Sequence, residues 1–277
     1  MNVAALPYTT FLLLLEFAAG CQAVLLLAAL RGDVAKGFLK MSAILVPLAG
    51  LPALWIAASF GGVAEVADYP LDQDWLLPAR VMLAAFGLLS IVYNWLIWRE
   101  RLDAARPWGW ATTAAGVAAI AVAAAYVQRP TWGYAPTLVS LLAGAASLGA
   151  VSLAMTLGHW YLVTPRLPEQ PLNRLTLVLL GALAVQTALV AVNLALPARY
   201  VPTAVENPDI GLAQNPIFWL RLGVGLIFPL ALAFMAWQSS IIRSMMSATG
   251  LLYIAMGGVL AGEVLARALL FTTAKPL

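Results

Sequence analysis

Eight separate runs, each of roughly 20 or more predominantly apolar residues, leave this chain one environment in which to fold. A run of that length crosses the hydrocarbon core of a bilayer as a helix, and in lipid only helices and closed barrels satisfy their own backbone hydrogen bonds. The runs fall near 7–30, 37–61, 76–98, 109–128, 136–163, 173–196, 216–238 and 247–271, and no strand-like alternation is visible between them. The expected fold class is all-α: a polytopic membrane protein whose eight transmembrane helices form one helical bundle over residues 1–277. Connections are short apart from 62–75 and 197–215, which leaves no segment for a soluble domain. The opening stretch from Met1 to Tyr8 lacks the basic residues of a signal peptide, so the first run is expected to stay as a helix.

Composition agrees: 63% of residues are hydrophobic and only 10% charged, against about 25% charged in ordinary soluble domains. The net charge of +3 does not point to nucleic acid, because the basic residues sit in short loops. Arg31, Lys36 and Lys40 follow the first run, Arg99, Arg101 and Arg106 the third, Arg166 and Arg174 the fifth, and Arg243 the seventh. The alternate connections carry Glu65, Asp68, Asp72, Asp74, Glu206 and Asp209, with Arg129, Arg199 and Lys275 as their basic members. The positive-inside rule then makes the first set cytoplasmic and both termini external, an N-out/C-out topology.

An ionised side chain inside lipid costs a few kcal/mol or more unless paired or hydrated, so such residues are functional candidates. Glu263 and Arg267 lie four residues apart, one helical turn, in the eighth run. Counting 1.5 Å per residue, Glu16 and Glu263 both lie roughly 12–14 Å below the outer surface. Arg267 is one turn higher, and Arg80 and Arg221 lie about 6–8 Å in. Polar residues of four helices thus gather in the outer half of the membrane. Simpler roles stand beside this one. The pair at 263 and 267 serves equally as a structural lock, Arg80 and Arg221 are close enough to the surface to snorkel, and Glu16 suits a protonated interhelical hydrogen bond. Gly20, Gly144, Ala145 and Gly149 suit close helix packing, while Pro47, Pro52, Gly223, Gly225 and Pro229 are expected to kink their helices.

Several chemistries are excluded for want of residues. Cys21 is the only cysteine, so an intrachain disulfide, a cysteine-ligated iron–sulfur cluster and a thiolate zinc site are ruled out. His159 is the only histidine, which excludes a bis-histidine haem and a histidine-based triad, and its neighbours Trp160 and Tyr161 suggest an interfacial belt. No metal site is expected, no glycine-rich phosphate loop follows a strand, and no inverted repeat is evident.

Three stretches resemble the eight-helix membrane anchors of the dimethyl-sulfoxide reductase and polysulfide reductase (NrfD-like) class. Gly262-Glu263-Val264-Leu265-Ala266-Arg267 is similar to a Gly-Glu-Leu-Ile-Gly-Arg run in their last helix. Arg129-Pro130-Thr131-Trp132, with Pro136 and the small face from Gly144 to Gly149, resembles their Pro-x-Trp segment, and Phe218-Trp219 with Gly225 and Pro229-Leu230 resembles their seventh helix. Phe60-Gly61-Gly62-Val63 departs from the His-Leu-Gly-x-Pro run that often follows the second helix of that class.

The resemblance implies a membrane anchor in the bacterial cytoplasmic (inner) membrane, free of haem. Such an anchor binds a quinone, menaquinone or ubiquinone, in the outer half of the bilayer and exchanges electrons with a ferredoxin-like iron–sulfur subunit that serves a catalytic subunit. On that expectation Glu16 and Glu263 exchange protons with the quinone. Arg267, Tyr126, Trp132, Arg80 and Arg221 bind it, with an aromatic-belt role as the plainer reading of Tyr126 and Trp132. The alternatives are a small-solute or ion transporter built on the same polar layer, and a structural subunit of a larger electron-transfer assembly.

Overall fold

The computed structural model describes residues 3–66, 69–128, 133–164, 167–195 and 212–277. Among them, eight helices are long and apolar enough to cross a membrane. They are α1 (Leu6–Arg31), α2 (Lys36–Ser59), α3 (Leu76–Trp98), α4 (Leu102–Val127), α5 (Tyr134–Val163), α6 (Gln170–Ala195), α7 (Pro216–Ile241) and α8 (Met245–Thr273). The upper face is defined here as the one where α1 begins and α8 ends. The apolar run at 109 understates α4 by two turns, because the turns bearing Asp103, Arg106 and Trp108 are too polar to register as a lipid span yet still helical. A connection read as loop also contains a minimal ladder, β1 (Glu65–Val66) against β2 (Tyr69–Pro70), with strands too short to show periodicity in sequence.

Neighbours along the chain pack in two closed rings of four. In the first, α1 touches α2, α2 touches α3, α3 touches α4, and α4 returns to α1; α5 to α8 repeat this order. The rings meet chiefly through α1 and α5, the two most buried spans. Their backbones all but touch: a methyl group on Gly20 would sit 1.8 Å from the Ala145 carbonyl oxygen, and one on Gly149 would sit 2.2 Å from the Gly20 carbonyl carbon. Small residues let helices approach this closely in lipid, where dispersion contact replaces the hydrophobic effect as the glue. Large apolar side chains point outward instead, including Leu48, Trp55 and Leu88.

Helix α7 is not uniform. It contains a π-helical turn, Gly223–Ile227, just before Pro229. Proline has no N–H to bond the carbonyl one turn back, here that of Gly225, and a wider turn is one way a membrane helix absorbs the defect.

On the lower face ion pairs tie the connections together. Glu100 accepts from Lys40 at 2.8 Å and Lys36 at 2.9 Å, Arg174 meets Asp33 at 2.5 Å, and Arg243 lies 3.5 Å from Glu169. The hydrogen bonds from Lys40 and Lys36 hold the Glu100 carboxyl at about 2, below its ordinary 4.5. A depressed carboxyl stabilises the fold above its unfolded value, and that contribution is lost as pH falls from about 4.5 towards 2. The melting temperature is therefore expected to drop more across that window in the native protein than in Glu100→Gln, by a small margin because the pairs are exposed.

The helix crossing gives a sharper test. Gly149→Ala is expected to destabilise the protein by about 1–3 kcal/mol or more through overpacking. Gly181→Ala, with nothing within 4 Å of the added carbon, should leave thermal unfolding in detergent unchanged.

Candidate functional site

Where the two rings meet, four charged side chains from three helices form a row. Arg267 of α8 lies between two carboxylates: its Nη2 is 3.1 Å from Glu263 Oε2, and its Nε is 3.2 Å from Glu16 Oε2 on α1. Arg221 of α7 follows, with Nη2 3.4 Å from Glu263 Oε1. The order Glu16, Arg267, Glu263, Arg221 alternates in sign and balances two carboxylates against two guanidiniums. None of the four is more than 1% exposed. Such burial is tolerable because each charge faces an opposite one, and removing a single partner would leave the rest uncompensated.

Glycines make the room. A methyl group on Gly144 of α5 would lie 2.8 Å from Glu263 Oε2, 2.9 Å from Glu16 Oε1 and 3.1 Å from Arg267 Nη2, so the quartet rests on bare backbone. Gly225 and Gly262 bring α7 against α8, each 2.5 Å from the other's Cα when given a methyl. Arg221 then reaches the carbonyl that Pro229 leaves without its helical donor: its Nη1 donates to Gly225 O at 3.3 Å. One guanidinium thus repairs the helix defect and extends the charge row.

Neutral polar residues complete the network. Arg221 Nη2 donates to Gln186 Oε1 at 2.6 Å, Gln186 Nε2 donates to Ser147 Oγ at 3.0 Å, and Ser147 Oγ lies 3.4 Å from Glu263 Oε1. Arg267 Nη1 donates to Ser140 Oγ at 3.1 Å. The Nε atoms of Arg221 and Arg267 and the whole Glu16 carboxylate are left out of it. Both Glu16 oxygens are buried without a hydrogen bond among the described residues, because the approach of Arg267 Nε is close but poorly directed.

Of the residues singled out from sequence, Glu16, Glu263, Arg267 and Arg221 come together, and Arg221 is buried in the row rather than snorkelling. Arg80 does not join them. Its Nε donates to Ala57 O at 2.9 Å and its Nη2 to Phe60 O, so it caps the C-terminal end of α2, where a cation also meets the helix dipole favourably. Tyr126, 1% exposed, belongs to a separate group with Tyr8 and Gln73, and its hydroxyl has no well-formed hydrogen bond among the described residues. Asp72 N donates to Tyr126 O at 3.0 Å, and the Tyr69 hydroxyl to Val127 O, so the 62–75 connection folds over this group. Trp132 lies outside the described residues, as does the Arg129-Pro130-Thr131 segment before it. His159 sits near the lower end of α5, 3.4 Å from the Tyr253 hydroxyl and far along the helix from the quartet.

Sequence reasoning missed Gln186, Ser147 and Ser140, since uncharged polar residues in lipid spans do not stand out singly. The spacing carries a signal: Ser140 and Ser147 lie four residues before and three after Gly144, on the same face of α5.

A crevice of about 250 Å³ runs between α1 and α8 near the upper face, lined by residues including Leu6, Thr9, Leu13, Val264 and Ala268. Leu13 is one turn above Glu16, and Val264 and Ala268 directly follow Glu263 and Arg267 in sequence. Its walls are almost wholly apolar. No protein-family model, curated protein or solved structure matches the chain.

Arg267→Met alone is expected to destabilise the protein by about 3–5 kcal/mol, the usual effect of stranding a buried charge. Glu16→Met in the same chain leaves Glu263 and Arg221 as a balanced pair, so the double variant should be more stable than the single one. A double-mutant cycle on denaturation is expected to give a coupling of roughly 1–3 kcal/mol.

Proposed function

We propose that this chain is a quinone-reactive membrane subunit of a respiratory oxidoreductase in a bacterial cytoplasmic membrane, with both ends on the outer face. In this reading it passes electrons between the quinone pool and a ferredoxin-like iron–sulfur subunit that serves a catalytic subunit. The observation that carries the proposal is Glu16, a buried carboxylate with no hydrogen bond among the described residues, held 3.2 Å from Arg267 one turn below the apolar crevice between α1 and α8. The resemblance of Gly262–Arg267 and of α7 to NrfD-like anchors supports the same assignment.

The residues suit a quinone. Its head group supplies two-electron chemistry coupled to two protons, so it needs groups at its oxygens that release and accept protons, and a low-polarity cleft for an isoprenoid tail. Glu16 is the group best suited to holding an exchangeable proton, since neither of its oxygens accepts a hydrogen bond among the described residues. Arg267 stabilises the carboxylate whenever Glu16 is ionised, and Glu263 keeps Arg267 in place from the other side. Tyr126, near Tyr8, offers a second hydroxyl donor in the upper half of the bundle. Arg221 and Gln186 position Glu263 and hold its charge.

A second reading treats the quartet purely as a lock between the two rings of a structural subunit. The near-complete burial of all four charges favours it.

Purified with its partners from the native membrane, the complex is expected to retain quinone detectable by solvent extraction and chromatography. Glu16→Gln should weaken that binding roughly ten-fold, the effect of losing one charge-assisted hydrogen bond. Unchanged occupancy and electron transfer in Glu16→Gln, together with a lowered melting temperature, would instead assign the quartet to the structural lock.

A further inference from the structure

The segment 274–277 closes over the quartet from the upper face. Helix α8 ends at Thr273, and Ala274 takes a left-handed conformation, φ 56°, in which an alanine is strained. The chain then turns back between α5 and α6, burying Ala274, Pro276 and Leu277. Three hydrogen bonds seat it: Asn193 Nδ2 donates to Pro276 O at 3.0 Å, Lys275 Nζ to Asn193 O at 3.1 Å, and Ser140 Oγ to Leu277 O at 3.2 Å. Ser140 Oγ is also the acceptor of Arg267 Nη1, at 3.1 Å. A single serine hydroxyl therefore stands between this strap and the charge row.

Several features mark the strap as separable from the bundle. It leaves α8 through a strained residue, and beside the packing of Ala274 and Leu277 against the core it depends on three hydrogen bonds whose strap partners water can replace. It also draws Lys275 into a partly buried position where desolvation pushes the amine down from its ordinary range. The surface beneath is polar, formed by Ser140, the guanidinium of Arg267 behind it, and Asn193, whose Oδ1 has no partner among the described residues. Ser140 and Asn193 serve the strap itself, but Asn193 Oδ1 is left over, a buried acceptor that a water entering beneath the strap would satisfy.

We infer that residues 274–277 are a removable plug over an aqueous port, and that lifting the strap connects the water at the upper face to Arg267 through Ser140. For its purpose, giving the quartet protons to exchange, the port rests on the proton-handling role proposed above; the opening and closing of the strap does not.

Thiol accessibility tests the plug. With Cys21 replaced by Ala, Ser140→Cys is placed in lipid nanodiscs and treated with a membrane-impermeant anionic methanethiosulfonate. Modification is expected to be slow with the strap intact, and faster by roughly ten-fold when Leu277→Asp or Asn193→Ala loosens it, the population change that loss of about one buried hydrogen bond gives. Thr137→Cys, one turn above on α5, reports the same port if Ser140→Cys does not fold. Equal rates with and without the loosening variants overturn the plug, and no modification in any of them overturns the port. Labelling does not depend on quinone, so a protein that binds none can still show the plug, and one that binds quinone can still lack it.

Discussion

Arg267 is the pivot of this molecule. It is a guanidinium in the interior of a bundle built for lipid, and it is tolerable there only because Glu16 and Glu263 flank it from two helices. Those helices belong to different rings, so the charge pairing that keeps Arg267 soluble in the protein also registers one half of the bundle against the other. Arg221 and Gln186 extend that registration to α7 and α6, and Ser140 and Ser147 extend it to α5. A shift of α1, α7 or α8 by a turn would strand a charge in an apolar medium, which makes the network a strong determinant of alignment.

Glycine is the condition for this arrangement. Closely apposed backbones at Gly20 and Gly149, and again at Gly225 and Gly262, bring the helix axes close enough for short-range charge pairing and leave little volume for lipid or water between them. Gly144 adds a floor with no side chain, on which both carboxylates sit. Bulk on the outward faces and its absence on the inward ones divides the labour between lipid contact and packing.

Much of this was legible in the sequence, for physical reasons. Hydropathy over long runs locates the spans, since the bilayer sets their length, and depth counting from the run ends brought Glu16 and Glu263 to one layer. The same arithmetic put Arg80 in the same half of the membrane, above that layer, but was blind to direction: its side chain turns to the carbonyls of α2, and nothing in a residue count distinguishes the two faces of a helix. Arg221 was read as equally able to snorkel, because the π-turn and the carbonyl left by Pro229 cannot be inferred from position alone. Gln186 and the two serines escaped notice since a neutral polar residue in a lipid span is common. The early start of α4 was hidden because a helix continues through polar turns that a lipid span does not need.

The π-turn at Gly223–Ile227 has one more consequence. A π-turn is equivalent to one residue inserted into an α-helix, and each α-helical residue advances the face by about 100°. Relaxing that turn to α-geometry with every residue kept would rotate the turn bearing Arg221 about a quarter of the way round relative to the rest of α7. The guanidinium would then leave Glu263 and Gln186 although every residue of the network was still present. The site is thus encoded partly in the hydrogen-bond register of α7, and a return of that turn to regular α-helix would erase it without altering one of its side chains.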